Sequence, residues 1–97
     1  MNIPGELRSF SQRITVEHTT VLDDDCVGQW RGRESVILLA PGLAEDIEAE
    51  TFLHELIEHV NAHLELGMEH PQIQAMSVGL FQVMRGNGLD FGKGGHA

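Results

Sequence analysis

The chain has 97 residues and a formal net charge of −9, from 15 acidic residues against six Lys plus Arg. All of this net charge lies between Glu34 and Met84, a segment with nine acidic residues and no Lys or Arg. This balance argues against binding to nucleic acid or to an anionic membrane surface, since both require a basic footprint. No apolar run reaches the roughly 20 residues of a spanning helix, and no signal-peptide pattern is present. We therefore expect one small cytoplasmic domain, and the acidic segment favours a cation as its ligand.

The first part of the chain predicts a three-stranded antiparallel sheet. Residues 1–12 carry little pattern and are expected to be irregular. Alternating apolar positions among β-branched residues predict a strand over 13–22. A second short strand is expected over 26–31, and Gly28 weakens it, which fits an edge strand or a bulge. An apolar run on both faces predicts a central strand over 35–40.

Two packed helices are expected after the sheet, which makes the predicted fold class α+β. The first is predicted over 44–66, where acidic residues in the first turns suit the helix dipole and apolar residues recur at helical spacing. The second is predicted over 71–85, with a proline in its first turn. A single domain would then span 13–87, and the Gly-rich end over 88–97 is expected to be flexible.

The first predicted helix contains the sequence His54-Glu55-x-x-Glu58. In the H-E-x-x-H helix of zinc peptidases, the residues at i and i+4 bind the metal and the intervening Glu polarises a bound water. Here Glu58 occupies the i+4 position, and a carboxylate oxygen is also an acceptable zinc ligand. A third ligand must come from elsewhere, and His70 is the best candidate because it lies where the second helix begins.

Spacing alone leaves a second set of metal ligands open. Glu55, His59 and His63 also follow at i, i+4 and i+8, and two histidines could hold a metal by themselves. This alternative set lies farther round the helix from the apolar stripe, so we predict that it is solvated, whereas the first set borders the core. Asn61 and Glu65 share the face of the first set and could orient a ligand by a hydrogen bond.

The runs TFLHELIEHVN, LELGMEHPQI and VGLFQVM resemble small phage and prophage proteins of the metallopeptidase type. Those proteins have a short sheet, a T-x-L-H-E-x-I helix and a second helix that opens with L-x-H-x-Q-I. The upstream DDDCVGQW is similar to their D-D-C-x-G-x-[FYW] stretch. The resemblance covers residues 14–87. More distantly, the chain is similar to the SprT-like minimal zincins, although H-E-x-x-E replaces H-E-x-x-H.

The resemblance implies a minimal zincin-like fold, with a divalent metal, zinc first of all, held by His54, Glu58 and His70. It implies that Glu55 activates a metal-bound water for peptide-bond hydrolysis, in the cytoplasm of the host if the protein is phage-encoded. It also implies that an extended peptide or protein segment pairs with an edge strand. The residues of that edge are Cys26, Val27, Gly28, Gln29 and Trp30.

The carboxylate of Glu58 lowers the net charge of such a metal site. The pKa of a bound water should therefore be higher than at a three-His site, which weakens the case for hydrolysis more than the case for metal binding. The alternative function is a non-catalytic protein-binding module of the same fold, with or without a structural metal.

Overall fold

A computed structural model, which describes residues 1–23 and 25–92, has a sheet of four strands and two helices. The predicted α+β class and the pair of packed helices are confirmed. The elements are β1 (Glu6–Ser9), β2 (Gln12–His18), β3 (Gly28–Arg31), β4 (Val36–Leu39), α1 (Glu45–Leu64) and α2 (His70–Gly86).

The sheet is mixed, with strand order β1-β2-β4-β3. β1 pairs with β2 and β3 pairs with β4 in antiparallel hairpins, whereas β2 and β4 are parallel. The prediction of three antiparallel strands is therefore only roughly matched. The difference arises because the chain leaves β2, forms β3 at the far edge and returns along β4, so that β4 runs beside β2 in the same direction.

The prediction that residues 1–12 are irregular is wrong, because β1 lies within them. Four residues are too few to show an alternating pattern in the sequence. Instead, β1 is stabilised by its pairing with β2, in which Leu7 lies opposite Ile14 and packs against the core.

β4 is the central strand, as predicted, and all four of its residues are buried. Its inner face contributes Ile37 and Leu39 to a core that includes Phe52 of α1. A second cluster joins the opposite side of α1 to α2, through Leu53 and Phe81 among others. α1 is thus packed between the sheet and α2, and it buries two faces rather than one stripe.

The turn between β1 and β2 is attached to α1 by two aromatic contacts and a hydrogen bond. Phe10 and Ser11 have φ angles of 52° and 63°, the left-handed region in which two-residue hairpin turns normally place Asn or Gly. The ring of Phe10 stacks on His63 with centroids 4.1 Å apart. The Ser9 hydroxyl is hydrogen bonded to Nε2 of His59 at 2.9 Å. These contacts hold β1 against the helix.

The predicted flexible end spans 88–97, and its last five residues, 93–97, lie outside the described residues. In the described part, Phe91 packs edge-on against Phe52 at 4.8 Å between centroids. The backbone N–H of Asn2 donates to the Asp90 carboxylate at 2.8 Å. In the part of the chain that the structure describes, no helix combines the length and apolar character needed to cross a membrane.

Candidate metal centre

The connection between the two helices brings His70 back towards α1. Glu65 caps the end of α1 with a left-handed φ of 52°, and Gly67 reverses the chain with a φ of 70°. Glu69 then forms a capping box with Gln72: its carboxylate accepts from the backbone of Gln72, and its own N–H donates to the Gln72 side chain at 2.8 Å. This box fixes His70 as the first residue of α2.

Asn61 of α1 forms two hydrogen bonds to the same connection. Its amide nitrogen donates to the Met68 carbonyl at 3.2 Å, and its amide oxygen accepts from the Met68 N–H at 2.9 Å. The sequence suggested that Asn61 or Glu65 orients a ligand directly. The structure instead connects Asn61 to the loop two residues before His70, and Glu65 is the exposed residue that follows α1.

His54, Glu58 and His70 lie together at the junction of the helices. One ligand atom from each of the three falls within 4.8 Å of the other two. His54 Nε2 is 3.7 Å from Glu58 Oε2, and the rings of His54 and His70 are 5.1 Å apart between centroids. His54 is only 9% exposed, whereas His70 lies at the surface.

These three side chains are of the types that could hold a zinc ion. Ligand bonds of about 2.0–2.2 Å place ligand atoms roughly 3.3–3.6 Å apart, close to the His54–Glu58 separation. Two imidazoles and one carboxylate also leave a fourth position open, which is the arrangement of catalytic rather than structural zinc sites.

Glu55 lies beside this group and is buried, with 8% of its surface exposed. Burial raises its pKa from 4.5 to about 7, the nearby Glu58 carboxylate adds to the rise, and a hydrogen bond from the Trp30 backbone opposes it. A carboxyl group that titrates near neutral pH can both accept and donate a proton under physiological conditions.

Two clefts meet over this group. One, of about 390 Å³, extends towards the N-terminal part of α1, and the other, of about 450 Å³, extends towards its C-terminal part. Both volumes fall within the range of small ligand sites. The residues shared by both linings are Cys26, Gly28, His54, Glu55 and His70.

β3 forms one wall of the clefts and is an edge strand, since it pairs only with β4 within the described chain. The predicted edge segment, 26–30, therefore borders the candidate site. Cys26 is exposed with a free thiol, whereas Trp30 is half-buried and packs against both the core and His59.

Gly28 allows this wall to approach α1 closely. A Cβ atom at Gly28 would lie 2.4 Å from Cγ2 of Thr51 and 3.3 Å from Cγ of Glu55. The sequence suggested that this glycine weakens the strand. Its structural role is to let the strand backbone pass beside Glu55.

We expect Gly28→Ala to destabilise the protein by about 1–3 kcal/mol, because the added methyl group forces β3 away from α1. Urea denaturation measures this effect. Gly5→Ala is the control and should change little, since no atom lies within 4 Å of the Cβ position there. Adding Thr51→Ser, which removes Cγ2, should recover most of the loss. If the double variant is no more stable than Gly28→Ala alone, the clash is not the cause.

The alternative ligand set of Glu55, His59 and His63 is not brought together within the same 4.8 Å limit in the described chain. The prediction that it is solvated is wrong for Glu55 and for His59, which is only 2% exposed. The reason is that α1 buries a second face against the sheet. Burial also lowers the pKa of His59 from its ordinary value, and Nε2 of the ring is hydrogen bonded to Ser9.

The raised pKa of Glu55 predicts a pH-dependent stability in the metal-free protein. Between the unfolded pKa of 4.5 and the folded value of about 7, the folded state binds more protons, so stability falls as pH rises. Glu55→Gln, which is always neutral, should therefore gain about 1–3 kcal/mol relative to wild type between pH 5 and pH 8. Urea denaturation with chelator present, at both pH values, measures the difference. An equal difference at pH 5 and pH 8 would contradict it.

Comparison of the chain with known protein families, with curated proteins and with solved structures finds no match. The functional interpretation therefore depends on the geometry of the site. Sequence reasoning missed Glu50 and Thr51, which line the first cleft. Both lie one turn before the His54-Glu55 pair on α1, so the helical period could have identified them.

Proposed function

We propose that this chain is a small zinc-dependent peptidase, of the phage and prophage type that its sequence resembles. His54, Glu58 and His70 would hold the metal, and Glu55 would be the general base. The observation that carries this proposal is the convergence of three ligand atoms from two helices, within 4.8 Å, beside a buried carboxyl group where two clefts meet.

The chemistry follows from the placement of Glu55. When bound, zinc supplies a Lewis acid that polarises the scissile carbonyl and acidifies water. The Glu55 carboxylate takes a proton from water as the water oxygen attacks the carbonyl carbon. The resulting carboxyl group then gives that proton to the amine nitrogen as the C–N bond breaks.

The substrate would bind as an extended segment along β3. The free edge of this strand offers backbone N–H and C=O groups, which can pair with a peptide as an added strand. Gly28 allows the backbone of β3 to lie against α1 beside Glu55. A peptide paired with β3 would therefore pass close to His54 and His70, which line the same cleft. The expected partner is therefore a peptide or an extended protein segment.

A non-catalytic binding module is the second candidate function, and Glu58 is the observation that favours it. As a negatively charged ligand, the Glu58 carboxylate would reduce the net positive charge of the metal site. A water bound to the metal would then be less acidic than at a three-His site. The edge strand and both clefts would still bind a peptide.

The experiment that tests the proposal is digestion of casein and of a mixed peptide library by the zinc-loaded protein, read by mass spectrometry. We expect cleavage that stops with chelator and returns with added zinc. Cleavage that persists in chelator would contradict the proposal. Peptides that bind in a zinc-dependent manner and are never cleaved would establish the binding module instead.

A further inference from the structure

The connection between the two helices is held in place by hydrogen bonds rather than by packing. Of its residues, 65–69, only Met68 is half-buried, and the others are exposed. Gly67 borders open space, since no heavy atom beyond its chain neighbours lies within 4 Å of the position that a Cβ would occupy. The placement of His70, which follows directly, therefore depends on the hydrogen bonds of this connection.

Asn61, in the last turn of α1, is bonded to this connection through its backbone and through its side chain. Its backbone carbonyl accepts from the N–H groups of Glu65 and Leu66, the second at 3.1 Å. Its amide Nδ2 donates to the Met68 carbonyl at 3.2 Å, and its Oδ1 accepts from the Met68 N–H at 2.9 Å. The side chain thus pairs with both backbone groups of Met68, as a neighbouring strand would.

The two bonds to Met68 require a side chain that carries a donor and an acceptor in one planar group, which an amide provides. Because both polar atoms of the Asn61 amide bond to Met68, this side chain can act on His70 only through the backbone. Met68 precedes His70 by two residues, and the capping box of Glu69 and Gln72 fixes the chain between them. Hydrogen bonds therefore connect Asn61 to the start of α2.

We propose, on the basis of the proposed function, that Asn61 is a positioning residue of the metal centre. By fixing Met68, it places the His70 imidazole where it can bind the same ion as His54 and Glu58. His70 needs this support because it lies at the surface, whereas His54 is 9% exposed. Asn61 itself is not a ligand, since the three ligand atoms that lie within 4.8 Å of one another come from other residues.

The test compares the zinc affinity of wild type, Asn61→Leu and a control variant by calorimetric titration. Leucine has nearly the same shape as asparagine but can form neither bond to Met68. We expect the affinity of Asn61→Leu to fall about 10–100-fold, as when a group that orients a metal ligand is removed. The matched control is Asn87→Leu, which removes a 2.8 Å side-chain bond to the Val83 carbonyl at the other end of α2. This control should bind zinc as tightly as wild type.

NMR spectra separate the positioning of His70 from a general loss of folding. In wild type, the ring resonances of both His54 and His70 should shift when zinc is added. In Asn61→Leu at saturating zinc, those of His54 should still shift, and those of His70 should shift less. Circular dichroism establishes that each variant is folded. If Asn61→Leu does not fold, Asn61→Ser takes its place, because the smaller side chain leaves room for water at Met68.

Three results would overturn the positioning role. They are a zinc affinity of Asn61→Leu equal to that of wild type, an equal loss of affinity in Asn87→Leu, and an unchanged zinc-induced shift of His70 in Asn61→Leu. In each of these cases wild type still binds zinc, so the proposed metal centre stands. If wild type itself binds no zinc, the metal centre fails and the positioning role fails with it.

Discussion

His54→Ala is expected to abolish the stabilisation of the protein by zinc. A ligand present at about 100 times its Kd stabilises the folded state by roughly 2.7 kcal/mol. For a domain of this size, that corresponds to a rise in melting temperature of about 10–20 °C. Wild type should show this rise on addition of zinc, and His54→Ala should not.

The reason is that, of the three proposed ligands, His54 is the one most firmly fixed by the fold. It is 9% exposed and lies between Glu58, one turn along α1, and His70 of α2. Without its imidazole, a carboxylate and one surface histidine remain, and we expect zinc affinity to fall at least about 100-fold. Thermal unfolding with and without zinc, supported by calorimetric titration, measures both effects.

His63→Ala is the matched control, because it removes an exposed histidine from the same helix. It belongs to the alternative ligand set, and its ring stacks on Phe10 at the surface. We expect this variant to keep the full rise with zinc. A zinc effect that is lost in His63→Ala and retained in His54→Ala would assign the metal to Glu55, His59 and His63.

Glu55→Gln is expected to lose hydrolysis and keep the metal. Glutamine has nearly the same shape as glutamate, but its amide cannot accept a proton from water. General base catalysis contributes about 10²–10⁴-fold, so kcat on a cleaved peptide should fall by that factor. Zinc content and the zinc-dependent rise in melting temperature should be unchanged, since Glu55 is not among the three residues proposed to hold the metal.

Glu65→Gln provides the matched control for this loss of activity. It makes the same chemical change on an exposed side chain at the end of α1. Its kcat should equal that of wild type. If Glu55→Gln cleaves the same peptides at the wild-type rate, Glu55 is not the base and another mechanism must be sought.

The helices and the central strand could be predicted because their signals are local. Apolar residues at helical spacing define α1 and α2, and four consecutive apolar residues define β4. β1 and the parallel pairing of β2 with β4 could not be predicted in the same way. Both depend on which strands meet in space. The four residues of β1 are also too few to show a strand pattern in the sequence.

The candidate site could be predicted only in part for a similar reason. His54 and Glu58 share a helix face by their i, i+4 spacing, and the loop that follows returns His70 to them. The burial of His59 was not foreseeable from α1 alone, because it results from packing against Ser9 and Trp30 of the sheet. The cleft of about 390 Å³ likewise combines residues from a loop, α1 and α2.

Metal analysis of the protein purified without chelator tests the central claim most directly. Inductively coupled plasma mass spectrometry should find one equivalent of a divalent metal, zinc above all, per chain in wild type and in Glu55→Gln. His54→Ala, purified in parallel, should contain none. Wild-type protein that carries no metal, and takes up none when zinc is added, would contradict the assignment of His54, Glu58 and His70 as a metal centre.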